Sequence, residues 1–133
     1  NMRVANYGTV FVTIADADKP RALPLIRRFY QLGFNIEATR GTAEFLKANG
    51  IRTRIRKKLS EGSEEILDSL RQGHVNYVIN TREPANLGRD SDGAQIRRCA
   101  VENNVTMFTA LDTVRVLLEV LEEITLCIST IDS

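Results

Sequence analysis

Residues Thr9–Ala15 read TVFVTIA, a β-branched and almost unbroken apolar run. A strand of that composition has no face to show to water and must be covered on both sides. In a chain of 133 residues the layer arrangement that covers it is a parallel sheet with helices on each face. The segments that follow fit this frame. Asp18-Lys19-Pro20 predicts a helix start, with Asp18 as cap and proline in the first turn. Leu23, Ile26 and Phe29/Tyr30 then recur at helical spacing, and Gly33 stops the helix. Phe34–Thr39 (FNIEAT) is the second strand. Gly41-Thr42 opens a short helix with Phe45 and Leu46 inward, closed by Asn49-Gly50. Ile51–Ile55 is a weak, basic strand near a sheet edge. Ser63 caps a helix whose first turn holds Glu64 and Glu65, where they suit the helix dipole. Its inward residues are Ile66, Leu67 and Leu70, and Gly73 ends it.

Val75–Asn80 (VNYVIN) is a strong strand, and Thr81–Asp92 is a polar loop. A helix with Ile96, Cys99/Ala100 and Asn103 on one side follows. Val105–Thr109 is expected to be a last core strand. Asp112 is the expected cap of a final helix with Val114, Leu117, Leu118 and Leu121 inward, while Ile124–Ser133 carry no legible pattern. The prediction is a doubly wound α/β fold, a five-stranded, mainly parallel sheet with helices on both faces, forming one domain over residues 8–133. Asn1 precedes Met2, so residues 1–7 read as a linker or an expression remnant.

Composition narrows the function. Hydrophobic residues at 43% and charged residues at 26% belong to a globular domain rather than a disordered one. A domain of this size buries roughly two-thirds of its unfolded surface and folds without metal or disulfide. A net charge of +1 gives no footprint for nucleic acid. Cys99 and Cys127 have no metal-ligand spacing and read as free thiols of a reducing cytoplasm. No segment has transmembrane length and no signal peptide opens the chain, so no membrane is expected.

Ligands of open parallel sheets bind outside the carboxyl ends of the strands. The segments expected there are Asp16–Lys19, Thr39-Arg40-Gly41-Thr42, Arg56-Lys57-Lys58 and Asn80-Thr81-Arg82. Together they offer cations, hydroxyls and a helix start beside a glycine, which suits phosphate. Gly41 lets an anion come close to the backbone, Thr39 and Thr42 supply hydroxyls, and Lys19 and Lys58 supply charge. Asn80 carries a donor and an acceptor for a ribose hydroxyl or a base edge. Taken singly, each feature is ordinary: such turns cap helices, and such lysines are commonly solvated. Their convergence on one rim carries the reading. A catalyst is harder to find. His74, the chain's one histidine, falls at the amino end of its strand, and no cysteine sits beside it as a nucleophile.

The run DKP…QLGFNIEATRGTAEFLKANGI…KKLSEG…YVINT…SDG..IRR…ALDT resembles the methylglyoxal-synthase-like domain. Within that group it is most similar to the C-terminal allosteric domain of the large chain of bacterial carbamoyl-phosphate synthetase, over Gly8 to Glu123. The resemblance implies a domain with no catalytic residues and no cofactor of its own. The parent, an ATP-dependent ligase with Mg or Mn, makes carbamoyl phosphate for pyrimidine and arginine synthesis, together with a glutaminase small subunit. The domain's partners would be the synthetase domains of the same chain and a nucleotide effector: UMP as inhibitor, and phosphoribosyl pyrophosphate or, in enteric bacteria, IMP and ornithine as activators. Effector-phosphate positions of the family fall on Lys19, Thr39, Thr42 and Lys58, with Asn80 and Thr81 toward sugar or base and Ser91 and Ile96 as weaker contacts. Arg82 stands where the enteric form has threonine, and its extra cation favours a more highly phosphorylated ligand. Methylglyoxal synthase itself uses an aspartate after the third strand and a histidine after the fourth. KKLSEG and INTREPANLGRDSDG lack both at the corresponding places, so that activity is not expected.

Overall fold

The computed structural model describes residues 8–57, 63–81 and 91–132, with the backbone alone for 91–93 and 127–132. Five strands, β1 (Thr9–Thr13), β2 (Asn35–Thr39), β3 (Thr53–Arg56), β4 (Tyr77–Asn80) and β5 (Thr106–Phe108), alternate with five helices. These are α1 (Lys19–Gln31), α2 (Arg40–Ala48), α3 (Glu65–Arg71), α4 (Ser91–Glu102) and α5 (Leu111–Asp132), and a 3-10 turn at Asp16–Asp18 leads into α1. The sheet has the order β3-β2-β1-β4-β5 and every pairing in it is parallel.

The apolar run of β1 is central and covered on both faces, as its composition requires. Val10, Val12 and Ile14 pack with Ile26, Phe29, Leu46 and Leu118 from α1, α2 and α5. Phe11 points the other way and packs with Ile66, Leu70 and Ile96 from α3 and α4. The period-two alternation of a strand thus divides the core into two layers.

The helices that precede strands share one ending. In α1, Phe34 N–H bonds Phe29 C=O and Gly33 N–H bonds Tyr30 C=O, both at 3.1 Å. Gly33 takes a φ of 102°, and the Phe29 and Phe34 rings meet edge to face at 5.4 Å. This is a Schellman stop with its apolar clasp. The same pair of bonds closes α2 at Gly50-Ile51 and α3 at Gly73-His74. In α4 it closes at Asn104-Val105, where Asn104 adopts a φ of 57° in the place glycine holds elsewhere.

Several expectations are corrected. Val105–Thr109 is no core strand: β5 is the sheet's second edge, and its residues are exposed or half-buried. Asp112 does not cap α5. The helix begins at Leu111, and Asp112 lies in its first turn, paired with Arg115. Asp18 stands at the N-cap of α1 but makes no side-chain cap bond. Ser91 and Asp92, expected in a loop, open α4. The tail that showed no pattern continues α5 to Asp132. Cys99 is a buried free thiol, and burial pushes its pKa up, which keeps it inert.

Helix α5 packs on α1, where Arg28 Nε and Nη2 grip the Glu122 carboxylate at 2.9 and 2.5 Å. The Arg28 hydrogen bond holds the Glu122 carboxyl below its ordinary pKa. A depressed carboxylate contributes stability above its unfolded pKa and loses it as pH falls through the folded value. The Glu122 side chain is 40% exposed, so the contribution is small. Glu122→Gln should lower urea-denaturation stability at pH 7 by about 0.5 kcal/mol. The gap to wild type should close as pH drops through about 4 and below. A gap that persists unchanged in acid would assign the effect to packing instead.

Candidate functional site

Parallel pairing brings all five strand ends to one rim, and the strand order reverses between β1 and β4, which pair directly. This is the switch point at which doubly wound sheets bind ligands. Register lines up its side chains. Thr39 lies opposite Arg56, and Thr13 lies opposite Asn80. One step beyond the Val12–Ala38 pair, Thr13 also neighbours Thr39, and the Thr39 hydroxyl donates to the Thr13 hydroxyl at 3.3 Å. Arg56, Thr39, Thr13 and Asn80 therefore form a polar row across four strands. Strand alternation puts the row on the side of Phe11 and Val78, the α3/α4 face.

Asn80 is 4% exposed, and its Nδ2 has no hydrogen-bond partner among the described residues. An unpaired buried amide costs about 1–3 kcal/mol, and only a few such groups survive in a folded protein. A ligand oxygen at the row would satisfy it.

The start of α2 is the second part of the site. Thr39 occupies the N-cap yet makes no capping bond, because its hydroxyl turns to Thr13. No side chain of this cap therefore meets the first-turn N–H groups, which carry the positive end of the helix dipole. Lys19 stands over the same turn: a methyl group added at Gly41 would lie 3.9 Å from Lys19 Nζ. The Lys19 side chain is 16% exposed and ion-paired with Asp16. An ammonium and a helix N-terminus facing one another repel, and an anion between them removes the repulsion.

Thr42 is buried beneath this cradle, and its hydroxyl oxygen accepts from Ile14 N–H at 3.1 Å. It ties the segment after β1 to α2 and so sets the position of Lys19 over the helix start. Gly41 lies in the helix, at none of the positive φ values found elsewhere in the chain. Its contribution is the open space under Lys19.

The expected site residues fall into three groups. Lys19, Thr39, Gly41, Thr42 and Asn80 come together at the rim. Ile96 does not join them, and Thr81 stands apart from the polar row. Thr81 alternates to the face that α1 and α2 cover, where its hydroxyl oxygen accepts from Ala15 N–H at 2.7 Å. There it helps line a cavity of about 210 Å³ with Asp18, Arg21, Thr109 and Asp112. Ile96 is a core residue packed with Phe11 and Leu70. Lys58 and Arg82 lie outside the described residues, as does the side chain of Ser91. Sequence reasoning missed Thr13, which completes the row, and the ion pair between Arg56 and Glu37 beside it.

The rim has binding groups without a histidine. His74, the chain's only one, is exposed just before β4, at the far end of the sheet. Among the described residues, no group of His, Cys, Asp and Glu is placed to hold a metal ion. No helix among them is long and apolar enough to cross a membrane.

A five-stranded, all-parallel sheet with helices on both faces defines a doubly wound α/β domain. The family is more specific. The MGS-like domain model matches residues 21–109, and the chain belongs to that family. The methylglyoxal synthase of Elizabethkingia anophelis NUHP1 superposes with a TM-score of 0.70 at 19% identity, over 86% of this chain and 79% of that one. ForH superposes with a TM-score of 0.63 at 19% identity, over 88% and 80%. At these identities both share the fold.

Gly41 separates binding from stability. Gly41→Ala should keep or raise the melting temperature, since alanine gains up to about 1 kcal/mol over glycine in a helix. The same change places a methyl under Lys19 and should weaken phosphate binding severalfold by calorimetry. Unchanged affinity would move the anion away from the start of α2.

Proposed function

We propose that this chain is a regulatory effector-binding domain that takes a phosphorylated small molecule at the rim and performs no chemistry on it. The observation that carries this proposal is the uncapped start of α2 facing the Lys19 ammonium. The orphaned Asn80 amide on the adjoining row supports it. The phosphate sits against the first turn of α2, held by Lys19 and by Lys58 from the segment after β3. Asn80 meets the sugar or base, and the family resemblance adds Arg82 and Ser91 as further contacts. Thr39 and Thr42 shape the cradle from below.

The parent is a bacterial carbamoyl-phosphate synthetase large chain, and the effector is UMP, phosphoribosyl pyrophosphate or IMP. The motifs GFNIEATRGTAEFL, INT and IRR support this finer assignment. The synthetase domains of the same chain, the glutaminase subunit, and ATP with Mg or Mn belong to that parent, and the setting is cytoplasmic. Regulation then works by differential affinity: the effector binds one arrangement of the domain against its neighbour better than the other, with a coupling of roughly 1–3 kcal/mol.

Calorimetric titration of UMP, IMP and phosphoribosyl pyrophosphate into the chain tests the proposal. At least one should bind saturably, and Lys19→Ala should weaken it about tenfold, the scale of one charge-assisted hydrogen bond. Silence from all three at millimolar concentration would end the effector reading. Dihydroxyacetone phosphate should yield no methylglyoxal, and turnover would make the chain a lyase.

A further inference from the structure

The two edges of the sheet are built differently. At one edge, β3 and its flanks show Arg52, Arg54 and Lys57 to solvent, and charge on an edge strand keeps other strands from pairing with it. At the other edge, β5 reads Thr-Met-Phe and carries no charge. Among the described residues β5 pairs with β4 alone, so the backbone groups on its outer side have no strand partner there.

The helices above and below β5 are apolar where they overlook this edge. Helix α5 packs on α1 and on β5. Glu122, held by Arg28, marks its α1 side. Residues two apart on a helix point about 200° apart, which puts Val120 and Ile124 on the opposite side, toward the β5 edge. Thr113 and Leu117 continue the line. The alternating four- and three-residue spacing of 113, 117, 120 and 124 is that of a seam that receives a second helix. On the other face of the sheet, the Cys99 thiol donates to Leu67 C=O and marks the α3 side of α4. Val101, two residues on, is turned away from α3 toward the same edge. Val101, Val116 and Val120 are 70%, 59% and 41% exposed. Exposed apolar side chains thus gather around the unguarded edge, and charges around the other.

An occupant of this edge must offer a strand and an apolar helix in one fixed relation, and a second copy of the chain does so. A two-fold axis through the edge, perpendicular to the sheet, sets β5 antiparallel to its mate, and antiparallel edges exchange their hydrogen bonds in pairs. The same rotation lays α5 against its mate and brings the Val101 sides of the two α4 helices together.

We propose that this chain forms a symmetric dimer through β5, with the two sheets joined into one and the α5 seams packed on each other. The short strand pairing fixes the register, and the flanking helices supply the buried area. The two ligand rims then point to opposite ends of the joined sheet.

Sedimentation equilibrium tests the proposal. The wild-type chain should be dimeric at about 100 μM, where even a modest affinity populates the complex. Val120→Glu places a carboxylate in the seam and should raise the dissociation constant at least tenfold, because a buried unpaired charge is costly. Thr106→Lys gives β5 the guard that β3 already has and should have an effect of the same size. Arg54→Ala, at the other edge, should leave the dimer unchanged. Amide exchange over residues 106–108 should slow as wild-type concentration rises through the dissociation constant. If Val120→Glu fails to melt cooperatively, Val116→Glu, at a more exposed position, takes its place. A wild-type chain that stays monomeric at that concentration would overturn the proposal. So would a dimer indifferent to both Val120→Glu and Thr106→Lys, or one that Arg54→Ala dissociates, since either puts the interface elsewhere.

Discussion

Every strand in this protein runs the same way, and the site follows from that constraint. Parallel neighbours cannot be joined by a tight turn, so each strand must be followed by a return path, here a helix. Strands then all end, and helices all begin, on one side of the sheet. The doubly buried β1 enforces the arrangement from the core, with Val10 and Val12 held by α1, α2 and α5 and Phe11 by α3 and α4. A helix start is positive at its end and short of acceptors, so the architecture itself builds an anion-seeking edge. The particular residues tune it.

That tuning uses side chains which also hold the fold together. Thr42 anchors the segment after β1 by accepting from Ile14 N–H, and this same bond fixes where Lys19 stands. Thr39 leaves α2 uncapped because its hydroxyl prefers Thr13. A capping serine or threonine contributes about 1 kcal/mol to a helix. Here that contribution is absent at the helix whose start faces the cradle, and the N–H groups keep their capacity for an external anion.

Much of this was legible in the sequence, and the misses have physical causes. The β-branched run at β1 and the glycines at 33, 50 and 73 marked strands and helix ends correctly, because both signals are local. Asn104 was missed because an asparagine rarely takes the glycine position of such a stop. Thr106–Phe108 looked like core because its residues suit any strand, and propensity carries no information on edge or centre. Of the candidate site, Lys19, Thr39, Gly41, Thr42 and Asn80 can be read from strand-end logic. Thr81, one residue of alternation from Asn80, turns to the opposite face and bonds Ala15 N–H. Ile96 followed from resemblance, whereas its burial follows from packing. The Glu37–Arg56 clasp joins two strands through register, and nothing within either segment announces it.

The shared helix endings have a consequence for how such a domain can vary. At the amino ends of the strands, the chain passes from helix to strand through a few residues locked by paired backbone bonds, as at Gly33-Phe34 and Asn104-Val105. Length changes there would break a hydrogen-bonded clasp and the apolar contact beside it. The base of the sheet is thus stitched four times over with one motif, so the strands keep their phase relative to one another whatever side chains the motif carries.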